Sequence, residues 1–350
     1  MTHDWMQPAG EEALSLIERG IERRDFERAS ALVGAGAVAP GWLTSPQIIA
    51  AAAGPGRDAP VLQSGTGKVE GRYLRSTGET VHWGSLPGED SIPAATVASG
   101  AMVTIDTISH EGILEDQGRD PVAYFGRYGI GRERVLKDAV ALAASGREHG
   151  GGPSVVTGPI AVRGANPGDI LRVDVLGLVP RAPYGVVSNR HAGGNAHAVS
   201  LFTPVRKADD GYRGYLPAAR QLRAEFPLDP YMGIIGVAGD ALTYSDGLGV
   251  GSSLYLPVRV PGAKFFTGDP HYVREGAFAL EAPLRATFRL TVLDRGEASE
   301  RSVADYWVAR APLDEKLRRS LRDSLAYLGD ELGMPRALAF AHLAAAGRLL

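Results

Sequence analysis

Leu284-Arg285-Ala286-Thr287-Phe288-Arg289-Leu290-Thr291-Val292-Leu293 alternates strictly between apolar and polar residues. Leu284, Ala286, Phe288, Leu290 and Val292 share one face, and Arg285, Thr287, Arg289 and Thr291 share the other. A two-residue period predicts a strand with one face on a core. Working outward, Ile170 to Val179 follows the same rule, with Leu171, Val173 and Val175 set against Arg172 and Asp174. Ala101 to His110 does so too, with Val103 and Ile105 inward and Thr104 and Asp106 outward, which predicts a half-buried strand. Shorter apolar runs occur at Ile160 to Val162, Gly233 to Ala238 and Tyr255 to Val260, and Gly164 to Asp169 carries a turn signal. Helical spacing is expected over residues 11–34, 132–144, 313–332 and 335–349, with Gly333 as a C-cap between the last two. Strands in the body and helices toward the ends predict a mainly β protein of the α+β class, a β-sandwich or jelly-roll with a C-terminal helical pair. Residues 1–67 read as a helical extension and linker, and residues 68–350 as the β-rich domain.

The bulk properties narrow the chemistry. With 350 residues, 44% hydrophobic and 22% charged, the chain can bury a large core. Its 45 glycines and 23 prolines, without a repeat, fit many tight turns between short strands. A net charge of -3 offers no basic footprint for nucleic acid. No segment has the roughly 20 unbroken apolar residues of a membrane span, so a cytoplasmic location is expected. There are no cysteines, which excludes thiol nucleophiles, disulfides and thiolate metal sites. Any metal must be held by His, Asp or Glu.

Candidates of that kind cluster where strand patterns give way to glycine-rich loops. Gly268-Asp269-Pro270-His271 predicts a turn at the mouth of a sheet, placing a carboxylate and an imidazole two residues apart. Asp106 and His110 are followed by the acids Glu111, Glu115 and Asp116. His82, in Val81-His82-Trp83-Gly84, is a candidate whose ordinary reading is a structural histidine beneath a tryptophan. Asn189 and His191 stand in a polar glycine-rich loop, a setting suited to substrate binding. Gly251-Ser252-Ser253-Leu254 is not a nucleophile elbow, because the second glycine is missing. Gly126 to Gly131 lacks the Gly-Lys-Ser/Thr of a phosphate loop.

Read together, these segments resemble the acetamidase/formamidase family of linear-amide hydrolases. The resemblance runs from about Tyr73 to the C-terminus. It is carried by Thr80-Val81-His82-Trp83-Gly84, Val97-Ala98-Ser99-Gly100 before Thr104 to Thr107, and Ser109-His110-Glu111-Gly112-Ile113-Leu114-Glu115-Asp116-Gln117-Gly118. Thr157-Gly158-Pro159-Ile160, the turn at 164–169, Pro183-Tyr184-Gly185, Met232 to Val237 and Gly268 to His271 complete it. It implies hydrolysis of a short amide to carboxylate and ammonia, a β-sandwich fold, homo-oligomers and a divalent metal, with zinc the usual expectation. Asp106, His110 and His271 would be metal ligands, Asp269 a ligand or the group that orients one, and Glu111 or Glu115 the acid/base. The chain departs from the family pattern after Val237-Ala238-Gly239-Asp240, where a His-Gly-Gly-Asn-x-Asp loop is missing, and after His271, where an acidic loop is shorter. Those losses keep a second reading open, a family scaffold that binds without catalysing.

Overall fold

A computed structural model describes residues 57–58, 60–188, 200–209, 211–219, 222–239, 243–244, 249–273 and 279–293. The helices expected over 11–34, 313–332 and 335–349 lie outside them, as do Asn189 and His191. In chain order the strands are β1 (Arg57–Asp58), β2 (Arg72–Leu74), β3 (Val81–Trp83), β4 (Ala95–Val97), β5 (Ala101–Asp106), β6 (Val155–Val162), β7 (Ile170–Pro180), β8 (Tyr184–Ser188) and β9 (Ser200–Ala208). They continue with β10 (Gly211–Ala219), β11 (Leu222–Pro227), β12 (Tyr231–Val237), β13 (Thr243–Tyr244), β14 (Ser253–Pro257), β15 (Phe265–His271), β16 (Ala279–Glu281) and β17 (Leu284–Leu293). Two α-helices, α1 (Pro121–Gly126) and α2 (Lys137–Ala144), interrupt them. No helix among the described residues is long and apolar enough to cross a membrane.

Strand β17 sits at the centre of a five-stranded sheet, β14-β7-β17-β5-β2. Only the β2–β5 pair in it is parallel. The larger sheet runs β11-β10-β9-β8-β16-β15-β12-β13, with β6 joining β15 to β3 and β4. The alternation predicted in β17 and β7 is observed: Leu284, Ala286, Phe288 and Leu290, and Leu171, Val173 and Val175, are buried. They share one cluster with Ile160, Met232, Ile235, Val237 and Phe265 of the larger sheet, and Phe265 meets Phe288 edge-on at 5.4 Å between ring centroids. Two apolar sheet faces closed on each other make this a sandwich.

Two local expectations are corrected. Strand β5 is not half-buried, since Thr104 and Asp106 are as inaccessible as Val103 and Ile105. Its polar face is covered by the segment before β2: the Glu70 amide donates to Thr104 Oγ1 at 2.9 Å, and Ser64 Oγ lies 3.1 Å from Asp106 Oδ2. The helix expected over 132–144 is split into a 3₁₀ turn at Arg132–Arg134 and α2. Gln63 enters the gap, donating from Nε2 to the Val135 carbonyl at 2.9 Å and accepting the Lys137 amide at 3.0 Å. Helix α1 was not anticipated, although Asp120 accepts the Val122 and Ala123 amides as N-cap and Pro121 follows it, an ordinary helix start.

Candidate metal centre

Strand β15 carries the first half of the site. Gly268-Asp269-Pro270-His271 does not form the expected turn; it is the end of β15, in register with β12 from Tyr231↔His271 to Val237↔Phe265. Two features let the motif remain a strand. Asp269 takes a left-handed backbone, φ 53°, which bends the strand locally. Gly233 on β12 leaves room for that bend: a Cβ there would stand 2.7 Å from the Asp269 carbonyl and 2.8 Å from His271 Cε1. On its other edge His271 pairs with Glu281 of β16. The second half arrives from the smaller sheet, because β5 stops at Asp106 and the chain then turns inward through His110 and Glu111.

These elements bring His110, Asp269 and Glu281 together, each offering one ligand atom within 4.8 Å of the others. His110 Nδ1 lies 3.9 Å from Asp269 Oδ1 and 3.9 Å from Glu281 Oε2. His271 Nε2 is 3.0 Å from Glu281 Oε1, and its ring stacks on Tyr231 at 4.7 Å. On the far side of the His110 ring, Nε2 is 3.6 Å from Glu111 Oε1. A cavity of about 20 Å³ adjoins the group, lined by Ser109, Glu111 and Glu281 and by apolar walls that include Ile108, Phe125 and Leu136.

The electrostatics call for positive charge at this point. Burial alone would pull the His110 imidazole down, yet Glu281, Glu111 and Asp269 push it up to about 9. His271 is raised as well: burial opposes, Glu281 and Asp269 prevail, and His110 subtracts. Three carboxylates in a buried place are costly unless a cation balances them. His271 Nδ1 and Glu281 Oε2 are buried with no hydrogen-bond partner among the described residues. Imidazole nitrogen and carboxylate oxygen are donors that suit zinc and similar divalent ions. The residues present therefore fit a divalent cation.

Other candidates fall elsewhere. Asp106 does not join the group, because two arginines and a tyrosine occupy its carboxylate. Arg285 donates to its Oδ1 at 2.6 Å and Oδ2 at 3.0 Å, Tyr73 donates to Oδ2 at 2.5 Å, and Arg181 Nη2 is 3.5 Å away. Glu115 lies at the surface, 3.1 Å from Arg119 and 3.0 Å from His149. His82 is half-buried on β3 opposite Val156, and burial lowers its pKa; the ring stacked on Trp83 is His149, not His82. Ser253 donates to Asp174 at 2.5 Å in a pair of neighbouring strands. Glu281 escaped the sequence reading. Its strand is three residues long, too short to show alternation, and only its register with His271 discloses it.

The backbone trace is similar to that of a gamma lactamase from Delftia acidovorans, with a TM-score of 0.50 and 17% identity over 76% of this chain and 83% of that one. The chain shares the fold of that lactamase. Acetamidases from Yersinia enterocolitica and Bacillus halodurans are also similar, at 20% and 18% identity. They align over 80% and 78% of this chain and 86% and 90% of theirs, with TM-scores of 0.46 and 0.40. No family model matches the sequence, and no curated protein does.

Proposed function

We propose that this chain acts as an enzyme of the acetamidase/formamidase type that its sequence resembles, hydrolysing the carbon–nitrogen bond of short linear amides to a carboxylate and ammonia at a divalent-cation site held by His110, Asp269 and Glu281. The observation that carries the reading is the convergence of those three side chains, from a loop and two strands, beside a small cavity that Glu111 also lines. A bound dication, zinc by the chemistry of the donors, supplies a Lewis acid for the carbonyl and lowers the pKa of a water from about 15.7 toward 7. Glu111, which lines the cavity, is the acid/base of this reading. Its carboxylate takes the proton that the attacking water sheds and returns it to the amide nitrogen, so that the carbon–nitrogen bond breaks with an amine rather than an amide anion leaving. The cavity of about 20 Å³ admits a group little larger than a water, which restricts what can sit between Glu111 and Glu281 to the reacting end of a small substrate. Its apolar walls keep other water away from the reacting atoms.

Ammonia release from formamide, acetamide and close analogues is the test. Activity that disappears on chelation and returns with a divalent ion is expected. A folded protein that holds no cation and releases no ammonia across that panel overturns the proposal and leaves the scaffold reading in its place.

A further inference from the structure

A chain of buried polar contacts runs behind His110. The Gly112 amide donates to Gln117 Oε1 at 2.5 Å, Gln117 Nε2 donates to Glu111 Oε2, and Glu111 Oε1 faces His110 Nε2 at 3.6 Å, an ion-pair approach longer than a hydrogen bond. All three side chains are buried, Gln117 at 8% exposure, Glu111 at 3% and His110 at 4%. The contacts run in one direction. A backbone N–H can only donate, so the oxygen of Gln117 must face Gly112 and its NH₂ must face Glu111. A carboxylate can only accept, so Glu111 offers an acceptor to the Nε2 side of the imidazole. The loop is built to close here. Gly112 has φ 89°, and a Cβ on it would stand 2.9 Å from the Phe125 ring.

From this geometry we infer that Glu111, braced by Gln117, orients His110 for the cation: it holds the imidazole proton on Nε2 and so leaves the Nδ1 lone pair facing Asp269 and Glu281. Glu111 and Gln117 are then positioning residues for a ligand, a duty separate from carrying protons to and from substrate. A ligating histidine whose other nitrogen is held by a carboxylate is a tighter ligand, and loss of such a carboxylate costs about 10–100-fold in metal affinity. The inference rests on the reading of His110, Asp269 and Glu281 as a cation site.

Zinc affinity, measured by competition with a chromogenic chelator, tests it without any substrate. Glu111→Gln is informative because Gln117 still donates to the new side-chain oxygen, which turns an NH₂ toward His110 Nε2 and forces the opposite tautomer. Zinc affinity is expected to fall by about 10–100-fold. Gln117→Met, which keeps the bulk and removes the donor, is expected to fall less but in the same direction, and to add nothing in the Glu111→Gln background. Proton carriage alone would lower turnover and leave zinc affinity unchanged. Wild-type affinity in Glu111→Gln, with the thermal transition of the metal-free protein unaltered, overturns the inference. A wild type that binds no divalent cation strikes instead at the site itself. Crystals of Gln117→Met decide the remaining case: Glu111 and His110 unmoved there overturn the bracing role, and a displaced Glu111 supports it.

Discussion

Asp106 and Asp269 show how two chemically identical side chains acquire opposite roles from their neighbours. Asp106 is enclosed by Arg285, Arg181, Tyr73 and Ser64, so its charge is matched within the scaffold. Asp269 faces the His110 imidazole, with no arginine among its partners in the described residues. Substitution separates them. Asp106→Asn strands Arg285 in a buried place and is expected to cost about 3–5 kcal/mol in chemical denaturation, since one partner of a buried ion pair remains uncompensated. Whatever folds should still bind one equivalent of zinc. Asp269→Asn should do the reverse, keeping the stability of the metal-free protein and losing the metal by elemental analysis. At the surface, the contact with Glu115 raises His149 above 6.5 against the pull of burial, and His149 holds Glu115 below 4.5. The attraction between them is complete below pH 6.5 on the histidine side and fades as pH rises through the raised His149 value. On the acid side it is complete above pH 4.5 and fades as pH falls through the lowered Glu115 value. An NMR titration of the His149 ring should therefore move back toward 6.5 in Glu115→Gln.

Strand β15 is where a local pattern and a distant partner disagree about structure. Gly, Asp and Pro in a row are turn residues, and the sequence alone supports a turn. What holds them in a ladder is long-range: β12 supplies a glycine opposite the bend, and β16 supplies Glu281 opposite His271. Gly233→Ala tests that dependence. Its methyl would meet Asp269 and His271 atoms under 3 Å away, so one of the two must move. Stability is expected to drop by about 1–3 kcal/mol from overpacking. Turnover should fall by about 100-fold, the effect of a displacement near 1 Å at a reacting site. Wild-type zinc affinity and turnover in this variant would show that the strand has slack. The same contrast explains what could be read in advance. β7 and β17 were legible because each buries one face over a long run, so alternation survives. His110 and Asp269, which the structure brings together, stand in local motifs that the sequence displays. Strands β8 to β11 were not read, and β8 is buried at every position, which leaves no period to detect. Nor could sequence show Gln63 entering the break before α2, since that contact joins positions 74 residues apart.

The whole molecule closes on the site. His110 lies in the loop after β5 of the smaller sheet, whereas Asp269 and Glu281 belong to β15 and β16 of the larger one. The apolar cluster that includes Phe265 and Phe288 already joins the two sheets. A cation held by all three side chains would tie the elements that carry them together a second time. Occupancy should therefore register as stability of the entire fold and not only as activity. A ligand bound to the folded chain alone adds about 2.7 kcal/mol when its free concentration is 100 times its dissociation constant. Protein stripped with a chelator should unfold at a lower temperature, and added zinc should restore the transition in proportion to the logarithm of its free concentration. Asp269→Asn removes one link and should lose that dependence. Asp106→Asn, though less stable at the outset, should keep it. An unfolding transition indifferent to zinc in the wild type would mean that the three side chains do not share a cation, and that the two sheets are held by their apolar faces alone.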